Sequence, residues 1–87
     1  MKVQNMTSNK GNKIANQFVI RTDEATYFQS YNSIICKWTN DNFIYLDERY
    51  WNYSKTTSKY RSLFLNETTN ETKRKIAAGR YMLTNLN

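Results

Sequence analysis

The sequence predicts an α+β fold: an antiparallel sheet of about four to five strands with two short helices on one face. Three observations carry that expectation. Between Gln17 and Leu46 the apolar residues come in short runs rich in β-formers, divided by polar turns. After Tyr53 they change to spacings of three and four. Two helix starts are written in capping residues, at Ser54–Thr57 and again at Thr68.

The chain has 87 residues. A length of this order buries about 60–65% of its unfolded surface, enough for one domain with little margin. Residues 1–13 are polar, with Gly11 and three lysines, and are expected to be disordered; residues 14–87 are expected to form a single α+β domain. Gln17–Thr22 reads as the first strand, with Phe18 and Ile20 on one face. Asp23-Glu24-Ala25 is a polar turn. Thr26–Tyr31 and Ser33–Trp38 follow as strands, with a bulge or bend at Tyr31-Asn32. The second of these places Ile34 and Cys36 on one face and Ile35 and Lys37 on the other. Thr39-Asn40-Asp41-Asn42 is the clearest turn, since Asx side chains bond their own backbone and tolerate left-handed geometry. Phe43–Leu46 then completes a hairpin, and Arg49–Tyr53 is expected to be a short extended segment.

Ser54, Thr56 and Thr57 are all competent to cap a helix that carries Tyr60, Leu63 and Phe64 as an apolar stripe. Asn66–Thr68 ends it. Thr68 with Glu71 three residues on matches a capping box for a second helix, expected over residues 69–78. Glu71 in its first turn and Lys73, Arg74 and Lys75 toward its end suit the helix dipole. Gly79 stands where a C-terminal glycine belongs, and Arg80–Leu86 reads as a last strand.

Charge separates the two halves of the chain. Residues 1–48 carry Lys2, Lys10, Lys13, Arg21 and Lys37 against Asp23, Glu24, Asp41, Asp47 and Glu48, so the whole net charge of +6 lies in residues 49–87. Such an asymmetry points to a polyanion partner or to a solvated basic face. Arg49, Lys55, Lys59 and Arg61 are interleaved with Tyr50, Trp51, Tyr53 and Tyr60. Cations neutralise phosphates and aromatic faces stack on unpaired bases. The expected binding residues are therefore Arg49, Lys55, Lys59, Arg61, Lys73, Arg74, Lys75 and Arg80 for phosphate, and Tyr50, Trp51 and Tyr53 for stacking. Thr56 and Thr57 would hold the helix start and add hydroxyl contacts. The competing assignment for the aromatics is the core of a small domain, and for the two threonines ordinary capping. A helix-turn-helix has the right order of helices here, but the connection lacks a glycine and the second helix has only Ile76 as a sizeable apolar anchor.

Catalysis finds little material. There is no histidine, and the single cysteine, Cys36, lies in the run Ile34-Ile35-Cys36-Lys37 with no general-base partner visible, as a buried small hydrophobe would. No catalytic residue, metal ligand or cofactor is expected. One cysteine fits a reducing compartment. There is no apolar run long enough to span a membrane, and Met1–Asn12 has no hydrophobic centre of a secretory signal, so a cytoplasmic protein is expected.

Phe28-Gln29-Ser30-Tyr31, Ile34-Ile35, Tyr45-Leu46, Trp51-x-Tyr53-Ser54-x-Thr56-Thr57-x-Lys59-Tyr60 and Phe64-Leu65 together resemble a family of small proteins from phages, plasmids and integrated mobile elements of low-GC bacteria. The resemblance spans residues 11–87, and Tyr-Ser-x-Thr-Thr is its most specific part. Some members of that family carry His where this chain has Tyr60, a departure that removes a candidate acid–base group. The family has no agreed activity. The resemblance implies a bacterial host cell as the setting, where small proteins often modulate host machinery or counter host defences. Together with the basic, aromatic C-terminal half, this leaves two main functions in view: a small non-enzymatic protein that engages nucleic acid (DNA or RNA) or a host nucleoprotein complex, and an inhibitor of anti-CRISPR type that binds a host defence protein directly. A minor structural or assembly protein is a third, lesser reading.

Overall fold

The turns predicted from sequence set the register of the sheet. Thr22 Oγ1 accepts from the backbone N–H groups of Glu24 and Ala25 and so replaces the glycine or asparagine of a tight hairpin. Tyr31 and Asn42 each adopt the left-handed conformation in the two turns that follow. In the computed structural model, which describes residues 1–87, these turns join β2 (Lys13–Arg21), β3 (Ala25–Ser30), β4 (Ser33–Thr39) and β5 (Ile44–Asp47) into an antiparallel meander.

Two further strands widen it to six. The N-terminal segment, expected to be disordered, forms β1 (Lys2–Thr7) and pairs antiparallel with β2 through a turn at Ser8–Gly11. The correction has a simple cause. An edge strand needs a partner more than it needs apolar residues, and only Met6 of this one packs against the core. The last strand, β6 (Tyr81–Thr84), pairs with β5 in parallel, so the sheet is mostly rather than wholly antiparallel. A parallel neighbour requires a crossover, and the two helices supply it.

Between β5 and the first helix, Arg49–Tyr53 is a turn and not the extended segment expected. Asp47 makes it so: its carboxylate accepts from the N–H groups of Arg49 and Tyr50 and turns the chain back. The helix α1 (Lys55–Leu65) is capped by Ser54, whose Oγ accepts from Thr57 N–H. The register this imposes buries Thr57, Arg61 and Leu65, one turn apart each, and leaves Leu63 exposed. Tyr60 and Phe64 flank the buried line. Asn66 closes α1 in the left-handed conformation. The capping box of Thr68 and Glu71 opens α2 (Thr69–Ala77) as predicted, and Gly79 at φ +76° turns the chain into β6.

Both helices lie over the same face of the sheet. Phe64 stacks on Phe28 of β3 and meets the edge of Trp38 of β4. Thr57 shares a hydrogen bond with Ser30 of β3. Glu67, between the helices, accepts from Tyr81 Oη of β6. The core beneath them is Phe28, Ile35, Cys36, Leu46, Leu65 and Tyr81. Ile35 and Cys36 are neighbours in sequence yet both are buried. A β-bulge explains it: Phe28 pairs with Cys36 and Gln29 with Ile34, so Ile35 is an extra residue and the alternation expected from sequence slips by one. Burying both residues adds apolar area at the sheet centre, at about 25 cal/mol per Å².

Candidate nucleic-acid interface

Folding divides the predicted binding residues into a structural set and an exposed set. Arg61 belongs to the first. It is wholly buried, and its guanidinium donates to Trp51 O, Asn52 Oδ1 and Thr69 Oγ1 while lying 5.2 Å from the Trp51 ring centroid. Burial lowers its pKa, yet a guanidinium stays charged at neutral pH. This cation staples the Arg49–Tyr53 turn to both helices and is not available to a phosphate. Trp51, expected to stack on bases, is pinned beneath it and packs on the core, as does Tyr50. Thr57 is buried between Ser30 and Ser54. Thr56 is exposed.

Lys75 is also engaged. Its Nζ lies 2.8 Å from Glu67 Oε1 in the one salt bridge of the protein. Burial by itself pushes the Glu67 carboxyl up; hydrogen bonds from Lys75, Thr72 and Tyr81 more than offset this and hold it below the usual carboxylate range. The Tyr81 hydroxyl, buried and donating to Glu67, is pushed up to about 12. This cluster fastens α2 to β6.

Arg49, Lys55, Lys59, Lys73, Arg74 and Arg80 are exposed and have no acidic partner within ion-pair distance. Lys55 and Lys59 are one turn apart on the outer side of α1. Lys73 and Arg74 point away from the buried Thr72 of α2. Of the predicted aromatics only Tyr53 is largely exposed, at 70%, with its ring edge-on to Tyr50. The interleaving of cations and aromatic faces seen in the sequence therefore does not persist in space: the cations go to solvent and most of the rings go inward.

The other face of the sheet holds residues that reasoning from charge density passed over. Cα partners run in one row across all six strands: Val3, Ile20, Tyr27, Lys37, Tyr45 and Met82. Phe18, Gln29 and Ile34 form the row beside it. None of these residues belongs to the core cluster or to the side chains packed against it. Lys37 Nζ lies 5.9 Å from the ring centroids of both Tyr27 and Tyr45. The signal for this row was present as alternation: Tyr27 beside Phe28, Lys37 beside Cys36, and Tyr45 beside Leu46 each put one residue in and one out.

Cys36 sits in the core, and burial pushes its thiol well up, so it is protonated at neutral pH. No three of the Cys, Asp and Glu side chains converge into a group that would hold a metal ion. No helix is long and apolar enough to cross a membrane. Among known proteins, the model of a family of unknown function (DUF8033) matches residues 1–79. No curated protein and no solved structure matches the chain.

Proposed function

The chain belongs to this family of unknown function, DUF8033, and we propose that it is a small non-enzymatic protein that binds nucleic acid through the outer surface of its helical layer. The observation that carries this is the state of its charge. The excess of +6 arises after residue 48, and six cations there, Arg49, Lys55, Lys59, Lys73, Arg74 and Arg80, are exposed without an acid to neutralise them. A surface that leaves its cations unpaired attracts polyanions and releases their counterions on contact. The Glu67–Lys75 bridge and the buried Arg61 keep that surface rigid without taking part in it. The phage or mobile-element setting implied by the resemblance is part of the same proposal, with a host-cell nucleic acid or nucleoprotein as the partner.

Fluorescence anisotropy against labelled single-stranded RNA, single-stranded DNA and duplex DNA over a range of salt tests it. Binding is expected to weaken with salt at a log–log slope of about 0.7–0.9 per phosphate engaged. Lys55→Gln with Lys59→Gln, and Lys73→Gln with Arg74→Gln, are each expected to reduce that slope by about two phosphates' worth. A protein that binds none of the three at low salt, or whose salt slope ignores both pairs, does not act this way. Direct capture of a host defence protein would then be the reading to pursue.

A further inference from the structure

The uncovered face of the sheet has the wrong composition for a face that meets only water. Antiparallel sheets with one solvated side normally turn polar residues toward it. Here the row that crosses all six strands contains Val3, Ile20, two tyrosines, one lysine and Met82. Val3 and Met82 are more than half exposed at its two ends. Contiguous apolar surface of this kind marks a contact site.

Its charge says which kind. Lys37 is the one cation in the row, held between Tyr27 and Tyr45. The one acid on the strands of that face, Asp47, is 1% exposed, and its carboxylate is engaged by Arg49 N–H, Tyr50 N–H, Leu86 N–H and Asn87 Nδ2. It has nothing left for Lys37. A second copy packed face to face would bring two Lys37 ammonium groups into an apolar interface with no anion to pair them, which is costly. A partner that fits brings its own anions together with flat rings.

We propose that this face is a platform for single-stranded nucleic acid, with Tyr27 and Tyr45 as stacking surfaces for unpaired bases and Lys37 between them as a phosphate contact. The two tyrosines are two strands apart, roughly 10 Å. Stacked duplex bases present no free faces to such rings, so the platform selects unpaired strands whatever their sequence. The proposal rests on nucleic-acid binding as the function, but it assigns a second surface, on the side of the sheet opposite the helical cations.

The test uses the full chain, labelled oligothymidylate and oligouridylate ten-mers, and a DNA duplex of the same length, at near-physiological salt. Thermal melts first establish that each variant is folded. Tyr27→Ala and Tyr45→Ala are each expected to lower single-strand affinity about tenfold, and Tyr27→Phe to leave it within about twofold, because the ring and not the hydroxyl stacks. Lys37→Gln is expected to weaken single strands and lower their salt slope by about one phosphate. Duplex binding should ignore all four substitutions and respond instead to the cations of the helical layer, as read by the Lys55/Lys59 and Lys73/Arg74 double variants. If single strands and duplex bind alike and the tyrosine variants change neither, the platform is overturned while the helical surface stands. If the duplex is ignored and single strands bind through Tyr27 and Tyr45, the platform stands and the helical surface falls. If sedimentation shows a dimer that Lys37→Glu disperses, a second copy covers the face and the proposal is wrong.

Discussion

Tyr27 and Phe28 are adjacent on β3, yet they live in different surroundings. Phe28 is wholly buried, stacked on Phe64 and surrounded by the core. Tyr27 faces the other way, half-buried beside Lys37 and outside the core. The same contrast holds for the two sides of the sheet as a whole. The covered side holds two paired polar networks, Arg61 with Trp51, Asn52 and Thr69, and Glu67 with Lys75, Thr72 and Tyr81, while the buried Gln17 amide there has no partner within the chain. The open side carries half-buried rings with one cation, Lys37, between them and no ion pair. Side chains that stabilise are on the first side, and side chains free to meet a partner are on the second side and on the outer surface of the helices.

That contrast can be tested by how much stability each side loses on substitution. Phe28→Ala is expected to cost about 4 kcal/mol in chemical denaturation, because it removes a buried ring and leaves a cavity under α1. Arg61→Ala should cost about 3 kcal/mol, since it orphans three acceptors and frees the Trp51 turn; a loss below about 1 kcal/mol would mean that water replaces the guanidinium. Ser54→Ala is expected to cost about 1 kcal/mol through loss of the bond to Thr57 N–H. Tyr27→Ala should cost less than about 1 kcal/mol, the value of a cross-strand pair; a cost near that of Phe28→Ala would show that the open face is covered after all.

Acid adds a further contrast. Glu67 and Asp47 both titrate below their ordinary values of 4.5 and 3.8, burial notwithstanding, because each accepts several hydrogen bonds. A carboxylate with a depressed folded pKa stabilises the fold above its unfolded pKa, and that stability is lost as pH falls through the folded value. The denaturation midpoint is therefore expected to be level from neutrality to about pH 5 and to fall below it. Glu67→Gln should be less stable at neutral pH and show a shallower acid limb. An unchanged limb would place the acid sensitivity elsewhere.

The pieces readable from sequence were those decided locally. Thr68 and Glu71 satisfy each other's backbone within one helical turn, so the start of α2 was legible. The Asx-rich turn at residues 39–42 and the glycine after α2 are likewise matters of a few neighbouring residues. The strands from β2 to β5 followed from β-formers between such turns, with ends displaced by up to a few residues. The binding residues were harder. Arg61 looks like its neighbours Lys55 and Lys59 in sequence, and only the register set by Ser54 turns it inward. Trp51 and Tyr53 are two residues apart and part company because Arg61 captures one of them.

By itself the sequence determined an α+β class, two capped helices, the central hairpins and a basic C-terminal half, since these depend on propensity, hydrogen bonds within a turn, and simple counting of charge. The tertiary structure alone decided the rest. The polar N-terminus became an edge strand because β2 offered it an open ladder. β6 became parallel because the helices carried it across the sheet. The bulge at Ile35 sent two consecutive residues inward. Which cations face water and which rings stay free on the open face was settled by packing between elements far apart in the chain, and no local pattern encodes that.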